Sequence, residues 1–194
     1  KAELPFFNYY LKDKGRLELP EAWVFETGSN RWASYDRWPP RNTEEKKIYL
    51  RAGGKLSFEP PGEAESDGAA DSYTSDPRKP VPWSSEIRTT QGHLWMVEDQ
   101  RFAASRPDVL VYRSDILTED VTIAGPIIAD LFVSTTGTDA DWIVKLIDVY
   151  PDNVLDDHAM GGYQLPLAME ILRGRFRADP ARPIPIVTRR STTS

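Results

Sequence analysis

Apolar and polar residues alternate most regularly between Asp120 and Tyr150. Val121, Ile123, Ile127, Ala129, Leu131 and Val133 share one parity, with Thr122, Asp130 and Ser134 on the other. Such a pattern reads as a strand with one face toward a core, and the whole run, DVTIAGPIIADLFVSTTGTDADWIVKLIDVY, predicts two long strands. The same parity returns at Tyr163, Leu165, Leu167, Met169 and Ile171. Pro166 has no N–H to give a ladder, so that strand is expected at an edge or with a bulge. Shorter runs, AWVFET, KKIYLRA, KLSF and DVLVYRS, predict further strands between Gly and Pro punctuation. Regular short strands favour an all-β sandwich or jelly roll over an α/β arrangement.

Two segments break the β pattern. Phe6, Phe7, Tyr10 and Leu11 share a helical face, Pro5 suits a first turn and Gly15 is placed to stop the helix. A helix over residues 5–12 is shorter than the ~12 to 15 residues that hold alone in water, so it is expected to pack on another surface, upstream of Lys1. Between Pro60 and Pro82 the polar, proline-rich PPGEAESDGAADSYTSDPRKPVP has little to bury. It reads as a long surface loop, or in part as an arm across a neighbouring domain.

Composition narrows the function classes. The chain has 194 residues, 40% of them hydrophobic, enough for one large β domain with a real core. With 24 Lys and Arg against 30 Asp and Glu, and no basic block, a nucleic-acid partner is not expected. No apolar run approaches the ~20 residues that cross a bilayer as a helix, so no membrane partner is expected either. The absence of cysteine excludes thiolate nucleophiles and Cys-type zinc sites and leaves the compartment open.

Candidate chemistry is sparse. A catalytic triad would need His93 or His158, the two histidines present, and no serine stands in a G-x-S-x-G elbow. Asp139 and Asp141, or Asp152, Asn153, Asp156 and Asp157, could offer oxygen to a cation, but neither group has EF-hand spacing. For Asp139 and Asp141 the leading reading is side chains that bond turn N–H groups; no metal or cofactor is expected. Trp32, Tyr35 and Trp38 could form a sugar-binding platform, with core or interdomain packing the weightier alternative. Leu94, Trp95 and Met96 form an apolar triplet beside EDQR, suited to a strand end where side chains face a cavity.

The segments VFETGSNRWASYDRWPP, KLSFEPP, the run from DQRFAASRPDVLVYRS to KLIDVYPD, and GGYQLPLAMEILRGRFR together resemble a known family. They are similar to the C-terminal domain of the X-Pro dipeptidyl-peptidase and cocaine esterase group of serine hydrolases, most of all to its α-amino acid ester hydrolases and glutaryl-7-aminocephalosporanic acid acylases. The resemblance covers the chain from about Leu4 to Arg177.

It implies a jelly roll packed on an α/β-hydrolase domain and its cap. Residues 1–20 match the terminal hydrolase helix, residues 21–178 the jelly roll, and residues 179–194 an irregular tail. The triad and oxyanion hole of the parent are then expected before Lys1, so this chain alone would be inactive. Leu94, Trp95 and Met96 match the strand that lends apolar side chains to the acyl pocket of related esterases. After GRFR the family continues through further strands, including a G-H-R-I-x-V-x-I segment, so the sandwich is expected to be incomplete at its C-terminus. The resemblance also implies a small ester or amide substrate for the parent and a periplasmic or secreted bacterial enzyme. A free-standing carbohydrate-binding jelly roll and an oligomerisation domain reaching a second copy are the competing readings.

Overall fold

The computed structural model describes residues 3–66, 70–86, 88–90 and 92–186. Among the described residues the regular structure is mostly sheet, as three antiparallel strand pairs, with few helices. The chain divides into two units, Lys1–Lys47 with Ile116–Pro126, and Ile48–Asp115 with Ile127–Ser194.

In the first unit, α1 (Glu3–Lys12) carries an acid in its first turn and a base in its last, the signs that suit the helix dipole. Phe6 and Tyr10, one turn apart, bring their rings to 4.8 Å. The chain leaves the helix through Asp13 at φ 49°, and the Lys14 N–H donates back to the Asn8 carbonyl at 3.0 Å. The stop therefore falls two residues before Gly15. No side chain of α1 is buried, and its apolar face is exposed among the described residues. Strands β1 (Ala22–Glu26) and β2 (Arg31–Tyr35) form a hairpin with Phe25 opposite Trp32.

The second unit begins with a small hairpin, β3 (Tyr49–Arg51) and β4 (Lys55–Ser57). Its turn needs Gly54: φ is 73°, and a Cβ there would lie 2.8 Å from the Val111 carbonyl. The predicted strand DVLVYRS contributes one parallel bridge, Arg113 beside Lys55, and no longer ladder among the described residues. The 60–82 segment is largely irregular and exposed, with the short α2 (Glu63–Ser66) inside it; residues 67–69 lie outside the described residues.

The longest pairing joins β5 (Asp141–Val149) to β6 (Gln164–Arg173). Leu146 faces Ala168 while Ile147 faces Pro166, so Leu167 has no opposite residue. This is the bulge that Pro166 implied, its missing N–H falling where the ladder is interrupted. The extra residue also swaps the parity of β6. Beyond it Ala168 and Leu172 are sheltered, whereas Leu167, Met169 and Ile171 are exposed. The apolar parity set of β6 thus does not line one core face along its length, contrary to its sequence pattern.

The larger departure lies upstream. Residues 121–135 have no ladder among the described residues, and Val121, Ile123, Ile127 and Val133 stay exposed. The run is interrupted at Gly125–Pro126, where the division between the units also falls. Gly125 has φ 104°, and a Cβ there would meet the Pro39 ring at 2.7 Å. Alternation reports which face a residue takes, but a strand also needs a partner. Among the described residues the enclosed side chains are Ala103, in α3 (Arg101–Ala104), and the polar Gln100 and Gln164. Of the tail expected at 179–194, residues 187–194 lie outside the described residues. Before them, the N–H groups of Ile184 and Ile186 donate to the carbonyls of Arg175 and Thr138 at 2.8 and 2.9 Å.

Candidate functional site

Leu94, Trp95 and Met96 do not end a strand. Trp95–Val97 form a 3₁₀ turn, closed by the Val97 N–H on the Leu94 carbonyl at 3.0 Å. The tight turn throws Leu94 and Met96 outward, at 69% and 60% exposure, while Trp95 turns inward. The Trp95 ring meets Trp83 with centroids 5.1 Å apart.

The turn is pinned through its own carbonyls. Trp83 Nε1 donates to the Trp95 carbonyl at 2.8 Å, the Tyr163 hydroxyl to that of Val97 at 2.7 Å, and Gln100 Nε2 to that of Glu98 at 2.7 Å. The Glu98 side chain accepts from Arg88 at 2.7 Å. Two side chains from other segments, Trp83 and Tyr163, and the nearby Gln100 therefore hold a short stretch of backbone that has no ladder of its own. Tyr163 is pushed up in pKa by burial and then by the Asp99 charge, so its hydroxyl stays a donor at neutral pH.

Behind the turn lies the Asp99–Gln100–Arg101 segment. Burial works against the Asp99 charge, but the N–H groups of Arg101 and Gln164, at 3.1 and 3.2 Å, and the Arg101 guanidinium hold its carboxyl below the usual range. Arg101 Nη1 reaches the Gly161 carbonyl at 3.1 Å, and the Gln100 N–H that of Gln164 at 3.1 Å. The segment thereby fastens the turn to the start of β6. Gln100, only 1% exposed, accepts from Lys145 Nζ at 2.6 Å, and that ammonium lies 4.7 Å over the Trp83 ring.

The sequence patterns do not single out Trp83, Gln100 or Lys145, and mark Tyr163 only as one of a strand's apolar set. One signal was present for Lys145, a lone cation on the parity of Ile143 and Ile147 within WIVKLIDV. A buried Gln inside a charged EDQR run carries no comparable signal.

The other candidates have local roles. His93 and His158 are exposed, on different turns. Asp139 receives Arg175 Nε at 2.8 Å, and Asp141 lies 3.3 Å from Arg173 Nε, so both serve ion pairs between the ends of β5 and β6. In that turn the Gly137 N–H donates to Thr135 Oγ1 at 3.1 Å; the Asp139 carboxyl is held below the usual range chiefly by Arg175, with a smaller share from the Ala140 N–H. Asp157 accepts the Ala159 N–H at 3.1 Å, and Asp152, Asn153 and Asp156 are exposed. Trp32 packs with Trp23 and Phe25 at 5.0 and 5.5 Å, whereas Tyr35 packs with Trp38 at 5.9 Å. Trp32 and Tyr35 are three residues apart on β2, hence on opposite faces, and cannot share a platform.

The family model described as X-Pro dipeptidyl-peptidase C-terminal non-catalytic domain matches residues 14–187. Cocaine esterase of Rhodococcus sp. (strain MB1 Bresler) is 30% identical over 185 residues, 92% of this chain and 31% of the esterase. An aminopeptidase structure from the marine sediment archaeon Thaumarchaeota archaeon superposes with a TM-score of 0.86 at 44% identity, covering 96% of this chain and 31% of the aminopeptidase. An α-amino acid ester hydrolase structure gives a TM-score of 0.79 at 38% identity, covering 97% and 32%. The fold class is the β-sandwich of such C-terminal domains, and the chain spans about a third of the length of each of these relatives.

Proposed function

This chain belongs to the X-Pro dipeptidyl-peptidase C-terminal non-catalytic domain family, and on that premise we propose that it is the accessory domain of a serine hydrolase acting on esters or amides. It packs on the catalytic domain and lends Leu94, Trp95 and Met96 to the wall of the acyl pocket. The triad serine, its histidine base and the oxyanion donors belong to the catalytic domain. The present chain shapes the space in which the acyl group lies.

One observation carries the reading. Leu94 and Met96 project into the open from a turn whose Trp95, Val97 and Glu98 carbonyls are all held by side chains. Apolar side chains at a surface are costly to order unless something apolar covers them, and a rigid apolar turn suits an acyl chain. The test is Trp95→Ala in the full-length protein. With the inward Trp95 ring lost from behind Leu94 and Met96, the kcat/KM ratio between a short and a long acyl p-nitrophenyl ester is expected to change by about tenfold, the scale of a pocket contact worth one or two methylenes. An unchanged ratio with a lowered melting temperature leaves Trp95 a packing residue.

A further inference from the structure

Lys145 lies in the middle of β5, opposite Met169, with Ile143 and Ile147 on its own face. Its ammonium is half-buried, and no carboxylate among the described residues lies within ion-pair distance of it. A methionine would fill the same space without the cost of desolvating a charge. What the cation gains is two contacts, Gln100 Oε1 at 2.6 Å and the Trp83 ring face at 4.7 Å.

Both partners lead to the same turn. Gln100 is oriented by this contact, because flipping its amide would set NH₂ against the ammonium and take the donor away from the Glu98 carbonyl. Trp83, held from its face, points Nε1 at the Trp95 carbonyl. We propose that Lys145 is the positioning residue of the 94–98 turn, its ammonium fixing Gln100 and Trp83, whose N–H groups in turn fix the Glu98 and Trp95 carbonyls. It touches no substrate itself. Its effect on acyl preference rests on the pocket-wall reading.

Hydrogen–deuterium exchange on the full-length protein tests this. In Lys145→Met, the peptide over residues 92–100 is expected to exchange about tenfold faster, the scale of losing one or two hydrogen bonds from a local element. The peptide over residues 141–149 should exchange as in the wild type, and Lys145→Arg should keep the turn protected. An unchanged 92–100 peptide in Lys145→Met overturns the proposal. Where both peptides exchange faster, Lys145→Arg decides: restored protection of 92–100 supports the role, and unrestored protection overturns it. The ester ratio separates the two readings. A loosened turn with an unmoved ratio in both Lys145→Met and Trp95→Ala keeps the positioning role and removes the pocket wall. A moved ratio in Trp95→Ala with wild-type exchange in Lys145→Met does the reverse.

Discussion

Trp83 donates its indole N–H to the carbonyl of Trp95 at 2.8 Å, and the two rings lie 5.1 Å apart at 60°. One residue thus holds both the backbone and the side chain of the other. Replacing Trp83 by Phe keeps a ring and removes the donor, and is expected to cost about 1 kcal/mol, the net worth of one hydrogen bond. Trp83→Ala loses the ring contact as well and should cost roughly twice as much or more. Chemical denaturation of the full-length protein measures both; a Phe variant as stable as the wild type would mean that the hydrogen bond contributes nothing, and equal costs that the ring contact does not.

The Arg51–Glu65 pair gives a pH signature. Arg51 Nε lies 2.8 and 2.9 Å from the two carboxylate oxygens of Glu65, and the Ala52 N–H adds a bond at 3.0 Å. Hydrogen bonding from Arg51 outweighs burial and holds the carboxyl below its ordinary value of 4.5. A depressed folded pKa means stability that is present above 4.5 and lost as the pH falls through the lower folded value. Glu65→Gln should therefore melt below the wild type at pH 7, with the gap closing under acid conditions beneath that range. A gap of the same size at both ends of the titration would contradict the assignment.

Local features were readable before the fold was. The helix at α1, the strands β1, β3 and β4, and the irregularity at Pro166 each follow from chain neighbours, whose spacing sets faces and turns; β2, with Trp32 and Tyr35 on it, reads only as an aromatic cluster. Val121 to Val133 read equally well and form no ladder, because pairing depends on distant chain that periodicity does not encode. The same limit hid the site. Leu94, Trp95 and Met96 could be picked out as an apolar triplet, but the groups that hold them come from residues 83, 88, 100 and 163. Only the fold brings these together, and Gln100 looks like an ordinary surface residue until it is enclosed.

Gly174 marks a tight crossing at the end of β6. A Cβ there would lie 2.8 Å from the Ala140 carbonyl, 2.8 Å from the Trp142 ring and 2.6 Å from Ile186 Cδ1. Side chains can yield, but the Ala140 carbonyl also accepts the Gly174 N–H at 2.9 Å and is not free to move. Gly174→Ala is expected to destabilise by about 1 to 3 kcal/mol, the usual range for overpacking. A wild-type midpoint in urea would show that the strand ends shift without cost.

The chain expressed by itself should be inert and should self-associate. Ile116, Ile128 and Phe132 are 95%, 82% and 102% exposed, and the aromatic face of α1 is open as well. Apolar surface of this kind seeks a partner, and exposed extended segments favour association between chains. Light scattering is expected to show oligomers or aggregates, and p-nitrophenyl ester hydrolysis to stay at the buffer rate. A monomeric chain with a cooperative melt would contradict the first expectation, and turnover above background the second.

The placement of the 94–96 turn at the acyl pocket can be tested without relying on rates. A photoreactive benzophenone side chain at position 96 of the full-length protein tolerates its bulk, because Met96 is already 60% exposed. The protein is then labelled with a serine-directed phosphonate bearing a long alkyl tail and irradiated. A crosslink between position 96 and the tail of the bound phosphonate is expected. Full labelling of the serine with no crosslink at position 96 would contradict it.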